Sequence, residues 1–237
     1  QRMLLTMKAS TAAARAICYL TASELDRARL GPDEAARKAA LARASLLTPV
    51  AKAFSTDIGI EVASIGVQVH GGMGFIEETG AAQHLRDARI AAIYEGTNGI
   101  QAIDLVTRKL PLDGGAAIRA EIAAIRAVAR RLVQNATPAF GATPARLRAA
   151  AESLDRATTF LLRAQAGNDP RAALAGATAY LRLFGLAEGV DPGMAEVTEG
   201  FHDPAVIEGI RDTGGRVSLA AYACPKPIIA AINGPAV

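Results

Sequence analysis

Tryptophan is missing from this chain of 237 residues, and aromatic residues make up only 4% of it. Any core must be built from aliphatic side chains, and alanine dominates them. Cysteine is scarce as well. Cys18 and Cys224 lie far apart and nothing marks secretion, which excludes a disulfide framework and suits two reduced thiols in a cytoplasmic protein. The three histidines, His70, His84 and His202, have no ligand spacing and no acidic partners at metal-site offsets, so no metal is expected. No Ser/His/Asp order and no CxxC pattern is present. No signal-peptide pattern is read in these residues, so none is expected, and no apolar run is long enough to span a bilayer. The net charge of +3 is small, and the basic residues alternate with alanine as on a solvated helix face. No basic patch argues for nucleic acid.

What is present favours helix. The hydrophobic fraction is 51%, and Ala and Arg are strong helix formers, so the composition leans all-α. Met3, Met7, Ala14, Ile17 and Leu20 or Thr21 repeat at helical spacing. Gly31-Pro32 ends that helix, and Asp33 can cap the next. Thr48-Pro49 reads as a restart, with Thr as cap and Pro at the first helical position. Beyond it Val50, Phe54, Ile58, Val62, Ile65 and Val69 form one stripe and Ile60, Ala63 and Val67 a second. A helix apolar on two faces is expected inside a bundle. Its polar exceptions are Lys52, Asp57, Glu61 and Gln68.

Residues 71–79 read as a loop that stops this helix, and Thr79 can cap a short one containing Gln83, Leu85 and Arg86. Residues 111–115 are a linker. Ile118, Ile122, Ile125, Val128 or Ala129 and Leu132 predict a further helix. Thr143-Pro144 starts another, with Leu147, Ala151, Leu154, Thr158 and Leu161 or Leu162 along one face. Asp169-Pro170 starts a third. The composition shifts after Gly189, where residues 228–232 read as a buried strand bounded by Pro and Gly. The chain enters a helical pattern at once and ends just after that strand, so both ends are expected to be cut.

The chemistry concentrates in residues 68–101. A lone Glu in a loop is usually a solvated surface residue. Glu95, however, follows an apolar run from Ile90 to Tyr94 and precedes Gly96-Thr97-Asn98, which breaks the pattern and offers a helix cap. A carboxylate among apolar neighbours has a raised pKa and suits proton abstraction. Its own backbone N–H, at a loop-to-helix junction, could polarise a carbonyl oxygen. The cluster Gly71, Gly72 and Gly74 follows a helix, so the dinucleotide and P-loop readings fail on context. A tight turn between helices and close backbone approach to a phosphate both remain open for it.

Three segments, QVHGGMGF (68–75), LRDA (85–88) and IYEGTNGIQ (93–101), make residues 1–110 resemble the C-terminal helical domain of an acyl-CoA dehydrogenase. Residues 111–189 resemble the helical extension of the larger bacterial members. The resemblance implies an all-α up-down helical bundle with a helical extension and a short mixed α/β tail. It implies that Glu95 removes the α-proton of an acyl-CoA thioester while hydride leaves the β-carbon for FAD. Tyr94 and Gly96 would line the substrate pocket. Gln68, Gly71 and Gly72 would contact the FAD of a neighbouring subunit, and Thr97 and Asn98 that of their own. Where the family usually carries Gln two places after the Thr, this chain has Gly99. An electron-transfer flavoprotein as acceptor and a homo-oligomer, dimer or tetramer, are implied partners.

Residues 190–237 resemble the enoyl-CoA hydratase (crotonase) group through ACPKPIIAAINGPAV (223–237). The leading expectation is thus the base-bearing part of an acyl-CoA dehydrogenase joined to a crotonase-like fragment, as in a fused or rearranged frame of fatty-acid oxidation. The rivals are a non-catalytic protein of the same fold that binds nucleic acid or a partner, and an inert truncated chain. The retained Glu95 and the missing basic patch count against the first rival. The resemblance also implies an N-terminal helical domain and a β-domain ahead of Gln1, the latter supplying most flavin-ring contacts. The 237-residue chain alone, mixed with FAD and desalted, is therefore expected to show no flavin absorption in the visible spectrum; a stoichiometric band would refute this.

Overall fold

A computed structural model describes residues 2–134, 141–167 and 169–189. Among these residues the protein is helical throughout and holds no strand. The expectations for residues 190–237, including the strand and the crotonase likeness, lie outside the described residues.

Two long helices form the base. α1 (Arg2–Leu30) and α2 (Glu34–Val69) are joined by a tight corner at Gly31–Asp33 and pack along each other. The corner follows the sequence signals: the Gly31 N–H closes α1 on the Arg27 carbonyl at 2.9 Å, and Asp33 caps α2 by accepting from the Ala36 N–H at 2.8 Å. α1 buries Ala14, Ile17 and Thr21 as its periodicity predicts, whereas Met3 stays 40% exposed.

The expected restart at Thr48-Pro49 does not occur. α2 runs through both residues, and the Thr48 hydroxyl donates to the Ala44 carbonyl at 2.7 Å instead of capping. A proline inside a helix costs about 3 kcal/mol. Leu46, Leu47 and Val50 around it are fully buried. Each such side chain contributes about 1.5–3 kcal/mol, so the packing of an unbroken helix outweighs the lost bond. The two apolar stripes also fare differently from expectation. Val50, Phe54 and Ile58 are buried, but from Glu61 onward every residue of α2 is half-buried or exposed.

Past α2 the chain makes a short helix, α3 (Gly72–Phe75), and a 3-10 turn at Glu77–Thr79, where a loop was expected. α4 (Ala81–Ala91) then packs back against α2. Its cap is Gly80 in the left-handed conformation rather than Thr79, whose hydroxyl is spent on the carbonyls of Met73 and Ile76. α5 (Asn98–Asp104) follows and continues into a π-turn at Leu105–Lys109. That turn closes with the Leu110 N–H on the Leu105 carbonyl at 2.8 Å. The Val106 carbonyl accepts from Gln165 of a later helix.

A 3-10 turn at Leu112–Gly115 leads into α6 (Ala116–Gln134), α7 (Thr143–Ala166), α8 (Pro170–Ala175) and α9 (Ala177–Glu188). For α6 and α7 the predicted faces are the observed ones, whereas the helix expected from Asp169-Pro170 onward is divided at Gly176 into α8 and α9. Ile118, Ile122, Ile125, Val128 and Leu132 of α6 are buried, with Leu147, Ala151, Leu154, Thr158 and Leu161 of α7. Asp169 caps α8 on the Ala172 N–H at 3.1 Å. The buried Thr158 hydroxyl pairs with the Tyr180 hydroxyl at 2.7 Å, which satisfies both.

One cation ties the two halves together. Arg43 of α2 donates twice to Glu121 of α6, at 2.6 and 2.7 Å, and once to Glu24 of α1 at 3.0 Å. Glu188 of α9 lies 3.8 Å away. All three carboxylates are buried. Burial alone would lower the Arg43 pKa, but hydrogen bonding to Glu121 and the charges of Glu121, Glu188 and Glu24 outweigh it and raise the pKa. Removing one partner of a buried charge group leaves the others uncompensated, at about 3–5 kcal/mol. Arg43→Met is therefore expected to lower unfolding stability in urea by about that amount. Arg43→Lys, which keeps the charge but not the bidentate fork, should fall between it and the parent.

Candidate functional site

α2 carries both parts of the site, at two places along its length. Its C-terminal end presents Gln68 and the glycine turn. Gln68, Gly71 and Gly72 are all exposed. Gly71 holds φ 62, a left-handed value that suits glycine. A Cβ built on Gly71 or Gly72 would meet nothing within 4 Å, so the backbone here is open to close approach from outside. Gly74 is different: a Cβ there would lie 2.2 Å from the Val67 carbonyl oxygen. The glycines of the cluster therefore differ in their surroundings. Gly74 is a packing glycine, and Gly71 and Gly72 are the accessible ones.

The second part is the turn between α4 and α5, which holds Tyr94, Glu95, Gly96 and Thr97. Asn98 anchors it near Ala53–Asp57 of α2. That anchor lies 12 to 16 residues before Val69, or roughly 18–24 Å along a helix rising about 1.5 Å per residue. The structure therefore brings Tyr94, Glu95, Gly96, Thr97 and Asn98 together, and does not bring Gln68, Gly71 and Gly72 to them.

Glu95 stands in the left-handed region with φ 54, followed by Gly96 with φ 80. Left-handed backbone costs a non-glycine residue roughly 1–2 kcal/mol, so neighbouring contacts must hold it. They do. Gln101 Nε2 donates to the Glu95 carbonyl at 3.2 Å, and Lys52 Nζ to the Gly96 carbonyl at 2.8 Å. The Asn98 N–H closes the turn on the Ala92 carbonyl at 3.1 Å. Thr97 caps α5 by accepting from the Ile100 N–H at 3.3 Å. Glu95 itself is exposed, with Ile93 and Tyr94 beside it 53% and 38% exposed. The apolar run before Glu95 therefore does not enclose the carboxylate within the described residues.

Asn98 points inward. Its Oδ1 accepts from Lys52 Nζ at 2.9 Å and lies 3.1 Å from Thr56 Oγ1. Its Nδ2 donates to the Ala53 carbonyl at 3.1 Å and to Asp57 Oδ1 at 2.7 Å. An Asn amide has two donors and two acceptor sites, and all are engaged here. Sequence reasoning singled out Lys52 and Asp57 as polar exceptions on an apolar helix and gave them no role. Their polarity on an otherwise apolar helix marks a cluster without naming its partners. Burial lowers the Lys52 pKa and outweighs the charges of Asp57 and Glu95, which would raise it. Among the described residues no group of His, Cys, Asp and Glu could hold a metal, and no helix is long and apolar enough to cross a membrane.

A direct check of the strained backbone compares two variants that both lose the carboxylate. Glu95→Gly is expected to be more stable than Glu95→Ala by about 1 kcal/mol in urea unfolding, because only alanine bears the left-handed cost. Equal stabilities, or a more stable Ala variant, would mean the turn does not hold this conformation.

Comparison with known proteins is consistent with the helical architecture. Residues 1–110 match the acyl-CoA dehydrogenase C-terminal domain, and residues 116–188 match the acetyl-CoA dehydrogenase C-terminal-like domain. A 3-methylmercaptopropionyl-CoA dehydrogenase of Ruegeria pomeroyi is 46% identical over 206 residues, which cover 82% of this chain and 33% of that protein. A butyryl-CoA dehydrogenase of Syntrophomonas wolfei is 32% identical over 142 residues, covering 60% of this chain and 23% of its own length. A broad-specificity linear acyl-CoA dehydrogenase of Mycobacterium tuberculosis is 34% identical over 122 residues, 50% of this chain and 20% of that protein. The chain spans a third or less of the length of these relatives. Through its two matched segments the chain belongs to the acyl-CoA dehydrogenase family.

Proposed function

We propose that this chain forms the base-bearing, C-terminal part of a flavin-dependent acyl-CoA dehydrogenase, with Glu95 as the base. The observation that carries the reading is the backbone at Glu95. A charged residue is held left-handed by side chains reaching in from α2 and α5, while its carboxylate stays exposed. Strain of this kind clusters at functional sites, where the surroundings over-determine the geometry.

The α-proton of a thioester is weakly acidic, and its removal needs a placed base and a stabilised enolate-like oxygen. The Glu95 carboxylate takes the proton, and its N–H donates to the thioester carbonyl. Tyr94 and Gly96 line the acyl pocket. FAD, when bound, supplies the acceptor for the hydride that leaves the β-carbon. The residues present fit such a group in part. Gly71 and Gly72 offer open backbone, Gln68 an exposed amide beside them, and Thr97 a hydroxyl proton not used by its cap. The engaged amide of Asn98 does not fit a flavin contact. The separation of roughly 18–24 Å along α2 suits contacts to two different flavins, one of them in a neighbouring subunit of a homo-oligomer. An electron-transfer flavoprotein would reoxidise the enzyme. Butyryl-CoA and 3-methylmercaptopropionyl-CoA, taken from the relatives' names, are the thioesters to try first.

The test is made in a flavin-loaded hybrid that carries residues 1–188 in place of the matching segment of the Ruegeria pomeroyi relative. Glu95→Gln keeps the N–H, size and polarity and removes only the basicity. Stopped-flow flavin bleaching should slow by ~10²–10⁴-fold with substrate binding retained. Glu78→Gln, an exposed acidic control on the 3-10 turn, should change little. Bleaching of Glu95→Gln at the parental rate would remove Glu95 as the base.

A further inference from the structure

We infer that Asn98 and Lys52 are positioning residues: Lys52 fixes the Gly96 peptide plane, Asn98 locks that brace onto α2, and with Gln101 on the Glu95 carbonyl they set how the Glu95 carboxylate and N–H face the substrate. The inference rests on the reading of Glu95 as base and assigns Asn98 a different task from flavin contact. The geometry is a two-point brace. Lys52 Nζ reaches the Gly96 carbonyl at 2.8 Å and Asn98 Oδ1 at 2.9 Å, so one ammonium joins the turn to the first residue of α5. Asn98 Nδ2 then locks that residue onto α2 through the Ala53 carbonyl and Asp57 Oδ1. From the other side Gln101 Nε2 holds the Glu95 carbonyl at 3.2 Å. Two consecutive carbonyls, those of Glu95 and Gly96, are thus directed by side chains, one from α5 and one from α2. A carbonyl direction fixes the plane of its peptide unit. With both planes fixed, the left-handed conformation of Glu95 persists although the residue has no side-chain burial to hold it.

Lys52 is well suited to this role. It is partly buried on α2, an ammonium has three donors, and Asp57, five residues further along α2, balances its charge. Loss of either residue should release the turn without touching the reacting groups. A misplacement of about 1 Å in a reacting group can cost about 10²-fold in rate, so the kinetic effect should be large for so remote a change.

Two measurements test this. In the 237-residue chain, amide hydrogen exchange is followed by NMR at Asn98, Ile100 and Gln101, whose N–H groups close the turn and open α5. Asn98→Ala should speed exchange there at least 10-fold and leave Ile122 and Leu154, in α6 and α7, unchanged. Lys52→Met, which keeps the Asn98 donors, should do the same and serves if Asn98→Ala fails to fold. Unchanged exchange in both variants would overturn the brace. In the flavin-loaded hybrid, Asn98→Ala should slow flavin bleaching by about 10–100-fold while the half-saturating acyl-CoA concentration moves less than about threefold. Slow bleaching in Glu95→Gln with parental bleaching in Asn98→Ala would sink the positioning role and leave the base reading intact. Loosened exchange with parental bleaching in Glu95→Gln would do the reverse, keeping the brace and removing the base.

Discussion

One guanidinium joins four helices across the apolar core that the two matched segments share. Arg43 sits near the N-terminal end of α2 and gathers three buried carboxylates from α1, α6 and α9. Buried carboxylates are unfavourable unless well paired: the bidentate fork to Glu121 seats Arg43, and the more exposed Arg27 also reaches Glu24 at 2.9 Å. The consequence is architectural. Glu24 and Arg43 belong to the segment matched by the dehydrogenase C-terminal domain, and Glu121 and Glu188 to the segment matched by the extension. The cluster therefore makes the extension part of the same body. Arg182 on α9 and Glu61 on α2, 2.6 Å apart, add a second and exposed link, which is worth little by comparison.

With α2 held at its N-terminal end by Arg43, the rest of that helix serves as a rail. Its middle carries Lys52, Thr56 and Asp57, which grip the turn holding Glu95. Its C-terminal end carries Gln68 and the open glycine turn. This explains why Pro49 is tolerated. A break there would separate the end held by Arg43 from the stretch that grips the turn, and the fully buried Leu46, Leu47 and Val50 keep the helix whole. It also explains the division of labour among the glycines. Gly74 lets α3 fold back onto the end of α2, which leaves Gly71 and Gly72 facing outward.

Much of this was legible in the residues themselves. Helical periodicity and capping are local, so the sequence determined the all-α character, the Gly31–Asp33 corner, the Asp169 cap and the buried faces of α6 and α7. The three segments at residues 68–75, 85–88 and 93–101 together pointed to the family, because each is contiguous along the chain and their order is kept. Local signals misled where packing opposed them. Thr48-Pro49 carries every mark of a helix start, yet tertiary burial overrode it, and Thr79 gave its hydroxyl to the turn before it and left the cap to Gly80. The incomplete burial of the last quarter of α2 was hidden for a related reason: an apolar stripe says that a face can be buried, not what covers it. Above all, only the tertiary structure decided what Asn98 does. Its partners Lys52, Thr56 and Asp57 lie more than forty positions away, and a hydrogen bond across that separation leaves no trace in local pattern until the helices are packed.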